Sequence, residues 1–282
     1  MNPLLLCTDL DRTLLPNGAQ PESPRARPLF AALVAQPAVR LAYVSGRDAA
    51  LIREAIATWH LPIPDFVLAD VGTTIYTVHN HSWRQLLAWE QHIAADWHGH
   101  TASGLLPLVE ACPAAAGLQL QGAERQRPYK LSFYAAATFN CAHALPLLRE
   151  AFAQRSIRAN LIWSIDETTA TGLLDILPAS AGKLSALRFL ARQLDLAEET
   201  LLFAGDSGND LEVLQSSVPG VLVANATPVV RAQLDPGTPG LWLAQGGYLG
   251  MNGYYAGGIL EGLAHFRPDV DRFLRGCHED GE

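Results

Sequence analysis

Pro3-Leu4-Leu5-Leu6-Cys7-Thr8-Asp9-Leu10-Asp11-Arg12-Thr13 opens the chain with an apolar run that stops abruptly at two aspartates one residue apart. Such a run reads as a buried parallel strand whose carboxyl end is exposed. In open α/β sheets the ligand lies at that end. Two carboxylates so close repel each other unless a cation or a proton relieves them. The pair therefore asks for a hard metal, or for one ionised and one protonated carboxyl.

The pattern repeats outward from this strand. Arg40-Leu41-Ala42-Tyr43-Val44 is a second apolar run, closed by Ser45-Gly46-Arg47-Asp48 and followed by a helical pattern from Ala49 to Trp59. A third run, Phe66 to Tyr76, has Gly72 in its middle and β-branched residues after it, which predicts a strand that turns into a hairpin. Strands alternating with helices in this way form half of a doubly wound sheet. From about His79 to Gly172 the alternation is lost. Two strands, Tyr129–Ala135 and Leu161–Ser164, flank a helix from about Cys141 to Arg155, a smaller α+β insertion. The sheet pattern is expected to resume at Leu173–Pro178. It continues with a helix from Lys183 to Leu194 and a buried strand Leu201–Ala204 ending in Gly205-Asp206-Ser207-Gly208-Asn209-Asp210. The run Gly220–Ala224 follows, then a Gly-rich loop from Gly246 to Gly258 that feeds a last helix. The expected architecture is an α/β, Rossmann-like parallel-sheet core made of residues 1–78 and 177–282, with a smaller α+β domain inserted at 79–176.

Composition limits the partners. A net charge of −8 leaves no basic surplus to neutralise nucleic-acid phosphates, so an anionic substrate needs a local positive centre. No apolar run reaches the roughly 18 residues that a membrane span requires. Cys7, Cys112, Cys141 and Cys277 are widely spaced with no CxxC pair, which predicts reduced thiols and a cytoplasmic setting. Leu4-Leu5-Leu6-Cys7 has too short an apolar run, and no basic segment before it, to be expected to act as a lipid-attachment signal.

The polar residues that close the strands carry the chemistry. Asp11 has an ordinary reading as a turn cap, and Ser207 with Asp210 as a capping box. Both acidic pairs, Asp9/Asp11 and Asp206/Asp210, nevertheless end apolar strands, and a parallel sheet gathers such ends on one edge. Four carboxylates meeting there need a cation. Magnesium suits an all-oxygen ligand set, whereas zinc asks for His or Cys, and neither occurs in these motifs. Ser45 and Gly46 stand between a strand and a helix, where a hydroxyl and backbone N–H groups bind anions; the plainer reading of Ser45 is a helix N-cap. Lys183 in the first turn of a helix opposes the macrodipole and calls for a compensating anion. Leu86, Trp89, Ile93 and Trp97 follow helical spacing, so these tryptophans are expected in a core rather than against a ligand. The histidines between His79 and His100 are too irregularly spaced for a metal site.

The succession DxDxT, a strand ending in Ser, a lysine at a helix start and GDxxxD resembles the haloacid dehalogenase (HAD) phosphohydrolases. The segments Gln126–Tyr134, Leu174–Pro178, Gly182-Lys183, Gly205–Asp210 and Ala256–Leu260 extend this to the sucrose-phosphate phosphatase family, with a C2-type cap between the second and third motifs. The resemblance implies Asp9 as a nucleophile that forms an aspartyl-phosphate. It implies Asp11 as the group that protonates the leaving sugar oxygen and then activates water. Ser45 and the Gly46 N–H would hold phosphate oxygens, and Lys183 would offset the charge. Asp206 and Asp210, with Asp9 and the Asp11 carbonyl, would hold Mg²⁺, and Asn209 would reach phosphate or an acidic ligand. Gln126, Arg127 and Lys130 are the expected sugar-reading residues of the cap. The implied substrate is sucrose 6-phosphate, with mannosylfructose phosphate as the alternative, and association with a sugar-phosphate synthase is compatible with that role. Arg12 departs from the small residue common at its position in the superfamily and puts fine specificity in question. Three rival readings are weaker. A DxD glycosyltransferase places its motif after a nucleotide-binding region, but only eight residues precede Asp9. A chymotrypsin-like protease, suggested by Gly205-Asp206-Ser207-Gly208, lacks a matching His context. A silent sugar-phosphate-binding module has no need of the full set of catalytic motif residues.

Overall fold

In the computed structural model, which describes residues 1–166 and 169–279, the opening run is β1 (Leu4–Thr8), buried along its whole length. Helix α1 (Ala26–Val34), β2 (Val39–Val44), α2 (Ala49–Trp59) and β3 (Phe66–Ala69) follow, then a hairpin of β4 (Thr74–His79) and β5 (Ser82–Gln85). Next come α3 (Leu87–Ala94), α4 (Ala102–Glu110), β6 (Gln119–Leu120), β7 (Leu131–Ala136), α5 (Cys141–Ala153), β8 (Ala159–Asp166), β9 (Thr171–Pro178) and α6 (Lys183–Gln193). The chain ends with β10 (Leu201–Gly205), α7 (Leu211–Leu214), β11 (Gly220–Leu222), α8 (Pro228–Arg231), β12 (Leu241–Leu243), α9 (Ala256–Phe266) and α10 (Pro268–Glu279). Two compact units result. Met1–Val71, Ile75–Gln85 and the segment from Leu187 onward form the first; Gly72–Thr74 and Leu86–Ala186 form the second.

The first unit is an eight-stranded sheet in the order β12-β11-β10-β1-β2-β3-β4-β5. Strand β1 pairs in parallel with β10 on one side and β2 on the other, and the chain reverses its direction of travel there. Alternate strand residues explain the core: Leu4 and Leu6, Leu41 and Tyr43, Val67 and Ala69, Leu202 and Ala204, Val221 and Val223 all join one cluster with α1, α2, α9 and α10. The residues between them, including Leu5, Cys7, Ala42, Val44 and Phe203, are also fully buried, as expected of a parallel sheet covered on both faces. Glycines bring α9 close to this sheet. A Cβ at Gly262 would lie 2.2 Å from Val221 Cγ2, and one at Gly258 3.1 Å from Val223 Cγ1.

The second unit has a four-stranded antiparallel sheet in the order β6-β7-β9-β8. Leu131 and Phe133 of β7, Leu174 and Ile176 of β9 and Leu161 of β8 pack with Trp97, Leu105, Leu148 and Phe152. Trp89 and Trp97 are buried, and the Trp89 indole N–H donates to the Gly72 carbonyl at 3.0 Å, so helical spacing identified them as core residues. One expectation is corrected. Leu173–Pro178 does not resume the parallel sheet; it lies in β9, between β7 and β8 of the antiparallel sheet. Burial along Thr171–Ile176 alternates and Asp175 interrupts the apolar residues, the pattern of an antiparallel strand with one covered face; Leu173, Leu174, Ile176 and Leu177 around Asp175 obscure that alternation in the sequence. The last helix is likewise two helices, α9 and α10. Among the described residues no helix is long and apolar enough to cross a membrane.

The close approach of α9 makes a direct test. Gly262→Ala forces the helix off β11 and is expected to destabilise the chain by about 1–3 kcal/mol, read as a lowered denaturant midpoint. An unchanged midpoint would contradict this packing.

Candidate active site

The reversal of direction at β1 leaves a crevice outside the carboxyl ends of β1, β10 and β2, the place where open α/β sheets bind ligands. Asp9 follows β1 directly, and its backbone N–H still donates to Ala204 O of β10 at 2.9 Å. The chain then folds back on itself: the amides of Thr13, Leu14 and Leu15 all donate to the Leu10 carbonyl. Beyond β10, Asp210 closes a tight loop by accepting on Oδ2 from the Asp206 and Ser207 amides, each at 3.0 Å. The capping box of Ser207 and Asp210 is present, and it is built into the site rather than being an alternative to it. Gly205 is required there, because a Cβ would sit 2.5 Å from Asp210 Cγ.

These two turns bring Asp9, Asp206 and Asp210 together. Each is at most 5% exposed, and each offers a ligand atom within 4.8 Å of the others. At such a separation two ionised carboxylates repel by about 3–4 kcal/mol at an effective dielectric of roughly 20, so the trio demands positive charge. Three buried oxygen donors with no nitrogen or sulfur fit a hard divalent cation such as Mg²⁺. The carboxylate of Asp11 points elsewhere. It takes a two-pronged ion pair from Arg47, with Nε to Oδ2 at 2.7 Å and Nη2 to Oδ1 at 2.6 Å, and accepts from Asn17 Nδ2 at 2.7 Å. The hydrogen bonds to Asp11, aided by the fields of Asp9 and Glu54, raise the pKa of the Arg47 guanidinium.

Ser45 is buried at the end of β2, and its hydroxyl accepts from the Arg47 amide at 3.1 Å. It is not the cap of α2; Asp48 is, accepting from the Leu51 amide at 2.9 Å. A Cβ at Gly46 would meet only Val71 Cγ2, at 3.9 Å, so the fold itself does not require glycine at this position. Asn209 lies in the β10 loop, with Oδ1 accepting from the Ser207 hydroxyl. Asp9, Asp11, Ser45, Gly46, Asp206, Asn209 and Asp210 thus all belong to the carboxyl edge of the first unit.

The remaining candidates belong to the second unit. Lys183 opens α6 and is fully buried. The Gln126 amide is bonded to the backbone on both its atoms, donating to Gln121 O and Ser132 O and accepting from the Ser132 N–H. Arg127 donates to the Glu124 and Gln126 carbonyls. Lys130 is buried 3.7 Å from Asp175 Oδ1, and Asp175 also accepts from the Ser132 hydroxyl across the β7–β9 pair. Among the described residues the histidines of the 79–100 stretch join no metal-competent cluster.

Sequence reading missed four residues that organise the edge. Arg47 and Asn17 hold Asp11. Thr13 donates its hydroxyl to Asp206 Oδ1 at 3.0 Å. Asn225 donates to Arg12 O at 2.6 Å and accepts from the Tyr255 amide at 2.9 Å, tying the β1 turn to the start of α9. Asn225 carried a usable signal, since it too is a polar residue following an apolar strand run.

The profile described as Sucrose-6F-phosphate phosphohydrolase matches residues 2–267. The chain belongs to the sucrose-6F-phosphate phosphohydrolase family. It is a HAD-superfamily phosphatase, a phosphoric monoester hydrolase. Within the family's range, a putative HAD-like hydrolase of Nitrosococcus oceani is 46% identical, over 98% of this chain and 75% of its own. The mannosylfructose-phosphate phosphatase of Agrobacterium fabrum is 28% identical, over 94% of this chain and 98% of its own. The solved sucrose-phosphatase of Synechocystis, in complex with sucrose and phosphate, superposes with a TM-score of 0.75 at 27% identity, covering 94% of this chain and 98% of that one.

The Asn225 bridge is open to test. Asn225→Ala strands a half-buried carbonyl and a buried N–H, and is expected to cost about 1–3 kcal/mol of stability in equilibrium unfolding. Stability equal to that of the unmodified protein would contradict the bridge.

Proposed function

We propose that the chain hydrolyses sucrose 6-phosphate to sucrose and phosphate with Mg²⁺ as cofactor. The observation that carries this reading is the buried Asp9–Asp206–Asp210 cluster at the carboxyl edge of β1 and β10, in a chain that superposes along most of its length on a sucrose-phosphatase. Asp9 attacks phosphorus while the bond from phosphorus to the sugar oxygen breaks, and Asp11, which takes up a proton on one oxygen while Arg47 keeps hold of the other, gives that sugar oxygen its proton. In the second step Asp11 takes a proton from water, the water oxygen attacks phosphorus, and the bond to Asp9 breaks to restore the carboxylate. The Ser45 hydroxyl and the Gly46 N–H hold phosphate oxygens, Asn209 reaches phosphate or an acidic ligand, and Lys183 offsets the charge of Asp9 and phosphate. Asp9, Asp206, Asp210 and the Asp11 carbonyl would hold Mg²⁺, which when bound neutralises charge on the transferring phosphoryl group.

The proposed cap, residues 79–176, reads the sugar through Gln126, Arg127 and Lys130. Burial of Lys130 beside Asp175 and Ser132 supports it most, since a polar cluster on the sheet face opposite the helices is poor packing material. Mannosylfructose phosphate is the second substrate reading, supported by a relative of similar identity that matches almost end to end. Either substrate requires a glycosyltransferase that joins a sugar to a phosphorylated sugar, and we infer such a synthase as the functional partner. Four free cysteines support a reducing, cytoplasmic setting.

Phosphate release over a panel of disaccharide and monosaccharide phosphates tests the substrate. Sucrose 6-phosphate is expected to give the highest kcat/KM, and a clear preference for another sugar would replace it. Asp9→Asn is expected to abolish turnover with the fold intact, and chelation of divalent cations to do the same reversibly. The Arg47 pair gives a separate test of Asp11. With Arg47→Met, Asp11 is no longer held in place, so kcat on the sugar phosphate should fall at least tenfold further than on p-nitrophenyl phosphate, whose leaving group needs no proton. Equal losses on both would remove Arg47 from any positioning role.

A further inference from the structure

Arg12 is the residue that family resemblance does not explain. Its backbone is left-handed, with φ of +59°, a conformation that L side chains adopt rarely. The turn holds it there from both sides: its N–H donates to Asn17 Oδ1 at 2.8 Å, and its carbonyl accepts from Asn225 Nδ2 at 2.6 Å. With the backbone so placed, the guanidinium Nε lies 3.5 Å from Oδ2 of Asp206, whose side chain is 3% exposed. Asp206 is one of the three clustered carboxylates, and its other oxygen accepts from Thr13. Asparagine or glycine would suit the backbone better; only a long cation also reaches the cluster.

We propose that Arg12 is a built-in countercharge for Asp206, which steadies the carboxylate cluster when no divalent cation is present and competes with that cation for Asp206. The inference rests on the reading of the cluster as the Mg²⁺ site. Removing the charge of Arg12 has two opposite consequences. The metal-free chain loses part of what offsets carboxylate repulsion, and the site becomes more attractive to Mg²⁺. A chain with Arg12 therefore binds the ion more weakly than the same fold without it, and depends on it less for stability.

The test compares the full chain with R12N, which keeps a residue tolerant of the left-handed backbone and removes the charge, and with R12K, which keeps a charge. Mg²⁺ binding is measured by titration calorimetry and thermal unfolding is followed in chelator and in saturating Mg²⁺. R12N is expected to bind Mg²⁺ about five- to twentyfold more tightly and to unfold several degrees lower in chelator, with most of that deficit recovered in Mg²⁺. R12K is expected to lie between R12N and the unmodified chain in both readouts. Should R12N not fold in either condition, R12G carries the same comparison. Unchanged or weaker Mg²⁺ binding by a folded R12N or R12G, or an unchanged melting temperature in chelator, would overturn the countercharge. If the unmodified chain and D206N both give no Mg²⁺ signal, the metal reading itself falls and the countercharge falls with it. A Mg²⁺ signal lost in D206N but unaltered in R12N overturns the role of Arg12 alone.

Discussion

Three carboxylates buried within 4.8 Å of one another are the constraint on which the carboxyl edge of the first unit is built. Left alone they would repel strongly enough to disfavour the folded state, since a domain's whole stability is only about 5–15 kcal/mol. The surroundings answer that repulsion in specific ways. The Asp206 and Ser207 amides and the Ser207 hydroxyl donate to Asp210, and Thr13 and Arg12 attend Asp206. Asp11 is drawn away from the trio into a separate pair with Arg47. The two aspartates of the opening strand are thus divided in space before any ligand is considered: Asp9 stays with the cluster, and Asp11 is turned to a cation of its own.

The sheet makes this division possible. Parallel pairing of β1 with both β10 and β2 places the ends of those strands side by side, so that turns distant in sequence share one edge. Each strand is anchored on both faces by apolar residues, which leaves the polar termini as the only exits for its chain. Glycines are used where turns need close contact, as at Gly205 against Asp210, and where a helix must approach the sheet, as at Gly262 against Val221. Gly46 is different, because a Cβ there would meet only Val71 Cγ2, at 3.9 Å, and packing does not call for glycine.

How much of this is legible in the sequence depends on the range of the interaction. Asp9, Ser45, Asp206 and Asp210 are legible because an apolar run ending in polar residues marks a strand end, and parallel strands share an edge. Trp89 and Trp97 are legible as core residues from helical spacing alone. The partners of the site are not, because Arg47 meets Asp11 and Asn225 meets Arg12 through side-chain reach across elements far apart in the chain. The placement of Leu173–Pro178 is hard to read for another reason: four apolar residues around a single polar one, Asp175, mask the alternation of an antiparallel strand. In the second unit, the residue types at Gln126, Arg127 and Lys130 were legible, but not that Gln126 would spend its amide on the backbone around Ser132.

The central claim is that Asp9 accepts the phosphoryl group with the help of a divalent cation held by its neighbours. Beryllium trifluoride, whose beryllium becomes tetrahedral when an aspartate oxygen completes its coordination and so mimics a phosphoryl group, addresses it without turnover or a chosen sugar. Fluorine NMR of the chain with beryllofluoride should show bound resonances in Mg²⁺ that disappear in Asp9→Asn and in chelator. Bound resonances that persist in Asp9→Asn, or none in the Mg²⁺-loaded chain, would contradict the account.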